Sequence, residues 1–276
     1  MVGCGNDSGT DADKGKSAAA PAKTAEVVIY TNADEEAQTA MKNALDKNGM
    51  KGAYLIQSFG TSELGGKLAA EGKNIEADVV TLSTYYLDSF QKKEKLFADL
   101  QNKAKTIQPS PSYWTPILGN TGALFVNTEV LKQSKLEAPK SIADLAKPEY
   151  AGHISVPDIM GSSTSWLMTQ AVMSAQGEEA GAKTVAAIEK NAGAHLEKSG
   201  SGPLKKLRAG EAAVGFGLRH QAVADKARGL PIDYIDPTEG NFQLQEAAAV
   251  VDKGAKTNPN AQKVVEIIVK LSLIHI

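Results

Sequence analysis

The feature that most constrains the fold of this chain is a repeated unit of a short apolar strand, a polar loop and an amphipathic helix. Residues 26–30 form an apolar, β-branched run, and apolar residues then recur at helical spacing until Gly49. Similar strand-like runs at 54–56, 77–82 and 212–216 each precede a helical segment. Alternating strands and helices predict an α/β fold with a parallel sheet covered by helices on both faces.

Length and composition exclude several other classes of protein. With 276 residues the chain can form one large domain or two smaller lobes, which excludes a small disulfide-dependent scaffold. Hydrophobic residues make up 42% and charged residues 22%, a mixture that excludes a disordered chain or a polytopic membrane protein. The formal net charge of -2, without blocks of like charge, argues against nucleic acid as a partner.

The N-terminal residues have the composition of a lipoprotein tether. Cys4, the only cysteine, lies between two glycines and precedes a polar stretch that runs to Lys23. Small polar residues bury too little apolar surface to become ordered, so we expect residues 1–24 to be a disordered tether with lipid attached to Cys4. The hydrophobic signal region expected before such a cysteine is missing, and an accidental Gly-Cys-Gly is the alternative. No long apolar run occurs, so lipid would be the only membrane anchor.

Polar loops join the predicted strand ends to the predicted helix starts. A helix start leaves backbone N–H groups unpaired and carries partial positive charge, so several of them in one crevice would bind an anion without any lysine. In open α/β sheets such crevices lie at the carboxyl ends of the strands. The alternative is that each hydroxyl only caps its own helix. The loop residues are Thr31, Asn32, Gly60, Thr61, Ser62, Ser83, Thr84, Ser162, Ser163, Thr164, Ser199, Gly200 and Ser201.

Two cationic candidates follow the predicted strand at 212–216. Arg219 could hold a phosphate, phosphonate or carboxylate through two parallel hydrogen bonds, and a structural ion pair is its alternative role. His220 is also a candidate contact, although a packed or surface position is the more common role of such a histidine.

Carboxylates and tyrosines near the loops are candidates as well. One carboxylate could meet a cationic amine of the ligand, while acidic residues in a first helical turn are favourable for the helix alone. Tyr85 and Tyr86 point in different directions on a helix, so one of them can face a cleft. The carboxylates considered are Asp34, Glu35, Glu36, Asp236 and Glu239.

The motifs of common enzymes are absent from the sequence. It contains no Gly-Xaa-Ser-Xaa-Gly elbow, no phosphate-binding Gly-Lys-Ser/Thr loop and no dinucleotide-binding glycine motif after a strand. His153, His195 and His275 lack the i, i+4 spacing typical of a metal site. We therefore predict no catalytic residue, no metal and no cofactor. An enzyme acting on a phosphorylated small molecule is the less favoured alternative.

Several short segments occur in an order and spacing that resemble one family. The chain is similar, over nearly all of residues 26–270, to the solute-binding proteins of bacterial ABC importers, in the branch that holds ferric-ion and 2-aminoethylphosphonate binders. The segments that carry the resemblance are 27–30, 76–80, 122–127 with Val130 and Leu131, 139–152, 199–201 and 209–215.

The resemblance implies the type II periplasmic-binding-protein fold, in which two α/β lobes close over a ligand cleft around a two-stranded hinge. It implies a first lobe of residues 25–119 and 241–276, a second lobe of 120–240, and hinge segments near 120–122 and 236–240. It also implies that residues 162–164 hold an anion and that Asn32 with Ala33 belongs to the binding loop of the first lobe. The predicted ligand contacts are Asn32, Ala33, Asp34, Thr61, Ser62, Ser83, Thr84, Tyr85, Ser162, Ser163, Thr164, Ser199, Ser201, Arg219, His220 and Glu239.

Two departures from the family pattern affect the expected ligand and stability. Ferric-binding members with an adjacent tyrosine pair place it after the strand that here ends at Phe216, where this chain has Leu218, Arg219 and His220. Because an arginine would repel iron, we expect a small anion or zwitterion of the phosphate or phosphonate class, with 2-aminoethylphosphonate as the best single guess. Ferric ion is the alternative. Relatives usually continue beyond residues 271–276, so we expect a truncation or altered reading frame there and lowered stability.

The implied role is that of a receptor without covalent chemistry. It would be held by lipid on the periplasmic or extracellular face of the bacterial cell membrane, and it would pass its solute to an ABC permease. We expect it to act as a monomer.

Overall fold

The computed structural model describes residues 26–101, 104 and 109–272, so Cys4 and the predicted tether lie outside the described residues. Nine strands and nine α-helices occur in this part of the chain. The strands are β1 (Val27–Thr31), β2 (Tyr54–Ser58), β3 (Val79–Ser83), β4 (Thr115–Asn127), β5 (Ile154–Pro157), β6 (Leu196–Glu197), β7 (Val214–Leu218), β8 (Ile232–Ile235) and β9 (Gln243–Val250). The helices are α1 (Glu35–Leu45), α2 (Thr61–Glu71), α3 (Thr84–Glu94), α4 (Thr128–Ser134), α5 (Ser163–Gln176), α6 (Glu178–Ala192), α7 (Gly202–Arg208), α8 (Arg219–Ala227) and α9 (Ala261–Ser272).

Local sequence explains where several of these elements begin. The Asp34 carboxylate accepts a hydrogen bond from the Ala37 N–H at 2.8 Å and caps α1. Pro203 lies in the first turn of α7, where its missing N–H costs no helical hydrogen bond. The alternation of strands and helices predicted from the sequence is therefore present.

The described strands form one mixed sheet in the order β2-β1-β3-β9-β4-β7-β5-β6, with β8 paired to β4. β1 is parallel to β2 and β3, and β5 is parallel to β6 and β7, as predicted. The prediction of a parallel sheet is wrong at the centre, where β4 and β9 are antiparallel to their neighbours. Hydrophobic periodicity within a strand carries no information about the direction of its partner, which explains the error.

The hydrophobic core is divided into two parts, and these define two lobes. The core of the first lobe is built from buried side chains between residues 27 and 114 and between 247 and 269. The core of the second lobe is built from buried side chains between residues 123 and 232. This two-lobed α/β architecture is the one that the resemblance implied. The boundaries predicted at 119/120 and 240/241 stay a prediction.

Strand β4 connects the lobes and forms half of the hinge. Its first part, residues 115–121, pairs with β9, and its second part, residues 122–127, pairs with β7 and β8. The predicted hinge segment at 120–122 therefore lies on a strand that both lobes share.

The second predicted hinge segment, 236–240, needs a correction. The Thr238 N–H donates to the Lys140 carbonyl at 3.1 Å, which ties this segment to the second lobe. The return to the first lobe occurs at the start of β9 instead, where Gln243 and Leu244 pair with Thr121 and Asn120. Because β9 extends the pairing of β4, the hinge is a two-stranded antiparallel ribbon.

Candidate functional site

A cleft of about 1330 Å³ is lined by both lobes and by the hinge strands. Pockets for small ligands typically measure about 300–1,000 Å³, so this cleft can hold a small solute together with water. Residues at the starts of α1, α2, α5, α7 and α8 line it. The partial positive charges of several helix starts therefore border one space, as the loop pattern predicted.

Most of the predicted contacts lie on the wall of this cleft. They come from the loop before α1, the start of α2, the start of α5, the loop before α7 and the start of α8. The structure thus brings together residues that are up to 188 positions apart in the chain, from Asn32 to His220. These residues are Asn32, Ala33, Asp34, Thr61, Ser62, Ser162, Ser163, Thr164, Ser199, Ser201 and His220.

Helix capping accounts for some of these hydroxyls and not for others. Ser162 does cap α5, because its Oγ accepts a hydrogen bond from the Thr164 N–H at 3.2 Å. Gly60, rather than Thr61, precedes α2. The Thr61 hydroxyl instead donates to Ser163 Oγ at 3.2 Å, across the cleft in the other lobe. The capping alternative therefore explains Ser162 but leaves the Thr61 side chain directed at the opposite wall.

A close contact that requires glycine holds the loop 199–201 against the start of α5. A Cβ atom on Gly200 would lie 2.0 Å from Thr164 Oγ1 and 2.8 Å from Thr164 Cβ. Real Cβ atoms do not approach other atoms so closely, so a side chain here must separate the loop from the helix. Since both segments line the cleft, this contact sets part of its shape.

Replacing Gly200 with alanine is expected to lower the free energy of unfolding by about 1–3 kcal/mol, because the added methyl group overpacks the contact with Thr164. Urea denaturation measures this change. The matched control is Gly66→Ala, since a Cβ on Gly66 in α2 meets nothing within 4 Å. The control should be neutral or stabilising by up to about 1 kcal/mol, because alanine favours helix. Equal stability of the two variants would contradict the role assigned to Gly200.

The predicted ligand clamp, Arg219, does not line the cleft and needs a correction. Its Nε donates to Asp236 Oδ1 at 2.9 Å, a second guanidinium nitrogen lies 3.3 Å from Oδ2, and the guanidinium stacks 4.4 Å from the centre of the Tyr234 ring. Asp236 raises the pKa of Arg219 further through these hydrogen bonds. The alternative role, a structural ion pair, therefore describes this arginine. Asp236, a candidate amine partner, is occupied by the same contact.

Four other predicted contacts lie outside the lining of the cleft. Glu239 accepts hydrogen bonds from the N–H groups of Ile142 and Ala143 at 3.0 and 2.9 Å and so caps a short turn of the second lobe. Ser83 is buried at the end of β3, where it pairs in register with a residue of β9. Strand β9 lies between β3 and the cleft-lining part of β4. This placement explains why the start of α3, which follows β3, does not reach the cleft. The residues concerned are Ser83, Thr84, Tyr85 and Glu239.

One rim of the cleft is held by charged contacts between the lobes. Glu35 at the start of α1 forms an ion pair with Lys205 of α7 at 3.0 Å. Glu36 contacts Arg208 of α7 at 3.0 Å, while Asp34 Oδ2 accepts from Gln221 Nε2 at 2.8 Å. Lys205 lowers the pKa of Glu35 through its hydrogen bond. The carboxylates at the start of α1 therefore already have partners in the second lobe.

Sequence reasoning missed two polar side chains on the hinge strands. Glu246 on β9 is 7% exposed, and Asn120 on β4 is 5% exposed; both line the cleft. Glu246 Oε1 accepts from Asn32 Nδ2 at 3.2 Å, while its buried Oε2 has no hydrogen-bond partner among the described residues. Asn120 Oδ1 is also buried and unpartnered there. The available signal was the position of Glu246 directly before the apolar run 247–251.

The titration of two cleft residues is shifted by their surroundings. Burial raises the pKa of Glu246 to about 7, against a smaller opposite effect of the hydrogen bond from Asn32. His220 is exposed, yet the neighbouring walls desolvate its ring and lower its pKa, while the charges of Asp34 and Glu36 act in the opposite direction. Both shifts disfavour charge on these side chains.

Metal sites and membrane spans each need a recognisable group of residues in the part of the chain that the structure describes. No group of three or more His, Cys, Asp or Glu side chains in this part of the chain could hold a metal ion. None of its helices is both long and apolar enough to cross a membrane.

Comparison with known proteins gives one family and several relatives. The family described as "Bacterial extracellular solute-binding protein" matches residues 74–270. The chain is 29% identical over 213 residues to the Fe(3+)-binding periplasmic protein of Serratia marcescens, covering 73% of this chain and 59% of that protein. It is 24% identical over 254 residues to an uncharacterized protein of Haemophilus influenzae, covering 87% of this chain and 71% of that protein.

A solved structure shows the same fold. The periplasmic binding protein AfuA of Actinobacillus pleuropneumoniae, with exogenous fructose-6-phosphate bound, superposes with a TM-score of 0.75 at 22% identity. The superposition covers 90% of this chain and 80% of AfuA. At this identity the likeness establishes the fold alone.

Proposed function

The chain belongs to the bacterial extracellular solute-binding proteins, and we propose that it binds a small phosphate- or phosphonate-bearing solute by closure of its two lobes. Proteins of this family bind small ligands outside the cytoplasm and work with ABC permeases. The general role of this chain is therefore that of a solute receptor for an ABC importer. Family and fold are those of binding proteins rather than enzymes. The lipid anchor at Cys4, the monomeric state and the narrower ferric and aminophosphonate branch stay predictions.

The observation that carries the proposal is the meeting of helix starts from both lobes at one cleft. The partial positive charge of these helix starts favours an anion, and the hydroxyls of Thr61 and Ser163 lie among them. An anion held from both sides would stabilise the closed arrangement of the lobes, because each lobe supplies part of its hydrogen bonds. The sugar phosphate bound in AfuA supports a ligand with a phosphate group.

The carboxylates of the cleft favour a zwitterion over a simple anion. Asp34, Glu35 and Glu36 are occupied by partners in the second lobe. Glu246 retains a buried oxygen without a partner among the described residues, and the ionised form of this carboxylate would repel a purely anionic solute placed against it. A solute with an anionic group at the helix starts and a cationic group elsewhere fits both observations. We propose 2-aminoethylphosphonate as the specific compound.

Ferric ion is the second candidate, and the relative from Serratia marcescens favours it. In this chain the positions after β7 carry Arg219 and His220. Ferric-binding members with an adjacent tyrosine pair have the tyrosines at this place, as the family resemblance implies. Arg219 is paired with Asp236 away from the cleft, so it would not itself repel a metal there. The two candidates are therefore best separated by binding measurements.

We expect 2-aminoethylphosphonate to raise the unfolding temperature of the purified protein. A ligand at about 100 times its dissociation constant adds roughly 2.7 kcal/mol to stability, which corresponds to several degrees for a protein of this size. The panel should contain 2-aminoethylphosphonate, phosphate, sulfate, glycerol phosphates, putrescine and ferric citrate.

A shift with phosphate- or phosphonate-bearing compounds alone would support the proposed class. A shift with ferric citrate alone would establish the second candidate and reject the first. A shift with putrescine alone would reject both, because a dication has no group for the helix starts.

A further inference from the structure

Glu246 and Asn120 place at the hinge two oxygen atoms that have no hydrogen-bond partner among the described residues, and we propose that they form the subsite for a primary ammonium group of the bound solute. The inference rests on the proposed function, because the anionic end of the same solute would lie at the helix starts. It assigns a specificity-determining role to two residues of the hinge strands, whereas the sequence pointed to carboxylates in the loops.

The sheet register places both side chains on one face of the hinge ribbon. Asn120 lies opposite Leu244, and Leu118 lies opposite Glu246, so Asn120 and Glu246 are diagonal neighbours across the β4–β9 ladder. Such neighbours are typically about 7–8 Å apart at the backbone. An ammonium group has three N–H donors and can bond to both side chains from a position between them.

The hydrogen bonds of the described residues leave two buried oxygens of the hinge without a donor. Buried oxygens in proteins nearly always accept a hydrogen bond, and each exception requires an explanation. Here two exceptions, Glu246 Oε2 and Asn120 Oδ1, belong to side chains that line the same cleft. Both atoms are acceptors when Glu246 is ionised. The only hydrogen bond recorded for the Glu246 carboxylate in the described residues comes from Asn32, to the other oxygen. A donor supplied by the ligand would satisfy both unpartnered atoms.

The burial of Glu246 favours a cationic donor over a neutral one. A buried carboxylate without a charged partner resists ionisation, which agrees with its raised pKa of about 7. An ammonium group compensates the negative charge directly, and a charge-assisted hydrogen bond is about twice as strong as a neutral one. A hydroxyl group would satisfy the oxygens but would leave the carboxylate charge uncompensated.

The test compares two probes that differ only in the amino group, 2-aminoethylphosphonate and ethylphosphonate. Isothermal titration calorimetry at pH 8 gives the dissociation constants for the natural chain and for Glu246→Gln. We expect the natural chain to prefer 2-aminoethylphosphonate by at least tenfold and the variant to lose most of this preference while still binding ethylphosphonate. Asn120→Leu should reduce the preference in the same direction by a smaller factor, since a neutral hydrogen bond is weaker.

The control is Glu179→Gln, which makes the same change at an exposed site on α6. It should leave the preference unchanged. An equal preference in the natural chain and in Glu246→Gln would overturn the subsite while leaving the phosphonate proposal intact. Binding of neither probe by the natural chain would overturn the proposed ligand class and the subsite with it.

Proton release gives an independent readout of the same contact. Binding of the ammonium group should ionise Glu246, which is mostly protonated at pH 6, and release its proton to the buffer. Calorimetry in buffers of different ionisation enthalpy measures this release. The natural chain should release more protons per 2-aminoethylphosphonate than Glu246→Gln, a comparison in which protons from the phosphonate itself cancel. Equal release by both proteins would overturn the subsite.

Discussion

Replacement of Arg208 with alanine is expected to destabilise the protein by about 3 kcal/mol, because it removes the main partner of a buried carboxylate. Asp225 is fully buried, and Arg208 donates to both of its oxygens, at 2.6 and 2.8 Å. Arg228 also contacts Asp225 at 2.9 Å and would retain part of the compensation, which places the effect at the lower end of the range for such pairs. Urea denaturation at neutral pH measures the loss.

The matched control for Arg208→Ala is Arg219→Ala. Arg219 and Asp236 form an ion pair of similar length, but their side chains are 38% and 52% exposed. Exposed pairs contribute at most about 1 kcal/mol, so this change should have little effect on stability. Similar losses for the two variants would refute the assignment of Asp225 as a buried charge that depends on Arg208 for its compensation. The same control tests Arg219 as a ligand contact, since the ion-pair role predicts that ligand affinity is unchanged.

The second large effect concerns the pH dependence of stability. Burial raises the pKa of Glu246 to about 7, above its ordinary value of 4.5. The folded protein therefore holds this proton more tightly than the unfolded chain. The stabilisation of the folded state by the bound proton is present in full below pH 4.5 and is lost as the pH rises through 7. The shift corresponds to a loss of about 3 kcal/mol. Glu246→Gln cannot ionise and should not show this loss.

The measurement is the stability of both proteins without ligand at pH 4.5 and at pH 8. The difference between natural chain and Glu246→Gln should change by about 3 kcal/mol in favour of the variant at the higher pH. Any constant effect of the amide group cancels in this comparison. A difference that is the same at both pH values would contradict the raised pKa.

The helix starts around the cleft could be predicted because their signals are local. A strand-like run, a polar loop and a helical period lie within about twenty residues of each other, and each can be recognised without knowledge of the rest of the chain. Most parallel strands of such units end at the same edge of the sheet, so the loops at Asn32, Thr61 and Ser163 could be expected to meet. The structure brings these loops to one cleft.

The hinge could be predicted only in part because its pairing is not local. Glu246 and Leu118 are opposite each other although 128 positions separate them in the chain. Nothing in the sequence near Glu246 indicates that β9 lies between β3 and β4, and that placement brings Glu246 to the cleft. The same reason explains why Asp225 was missed, since its partner Arg208 lies 17 positions away on another helix, α7.

The error at Arg219 has a different physical cause. The residue does follow a buried strand, as predicted, and it begins α8. Its long side chain turns to Tyr234 on β8 and to Asp236 directly after that strand, and β8 pairs with the far part of β4. Backbone position alone therefore gave the correct end of the sheet but not the direction of a flexible side chain.

The place of β9 in the sheet determines the order in which the chain can fold as it is synthesised. Residues 243–250 leave the ribosome after the whole second lobe, yet they complete the first lobe by pairing with β3 and with the first part of β4. The second lobe can therefore reach its final packing first, while β3 and the first part of β4 still lack β9 as their hydrogen-bonding partner. Open strand edges invite pairing with other chains, so the half-finished first lobe is the aggregation-prone stage of biogenesis.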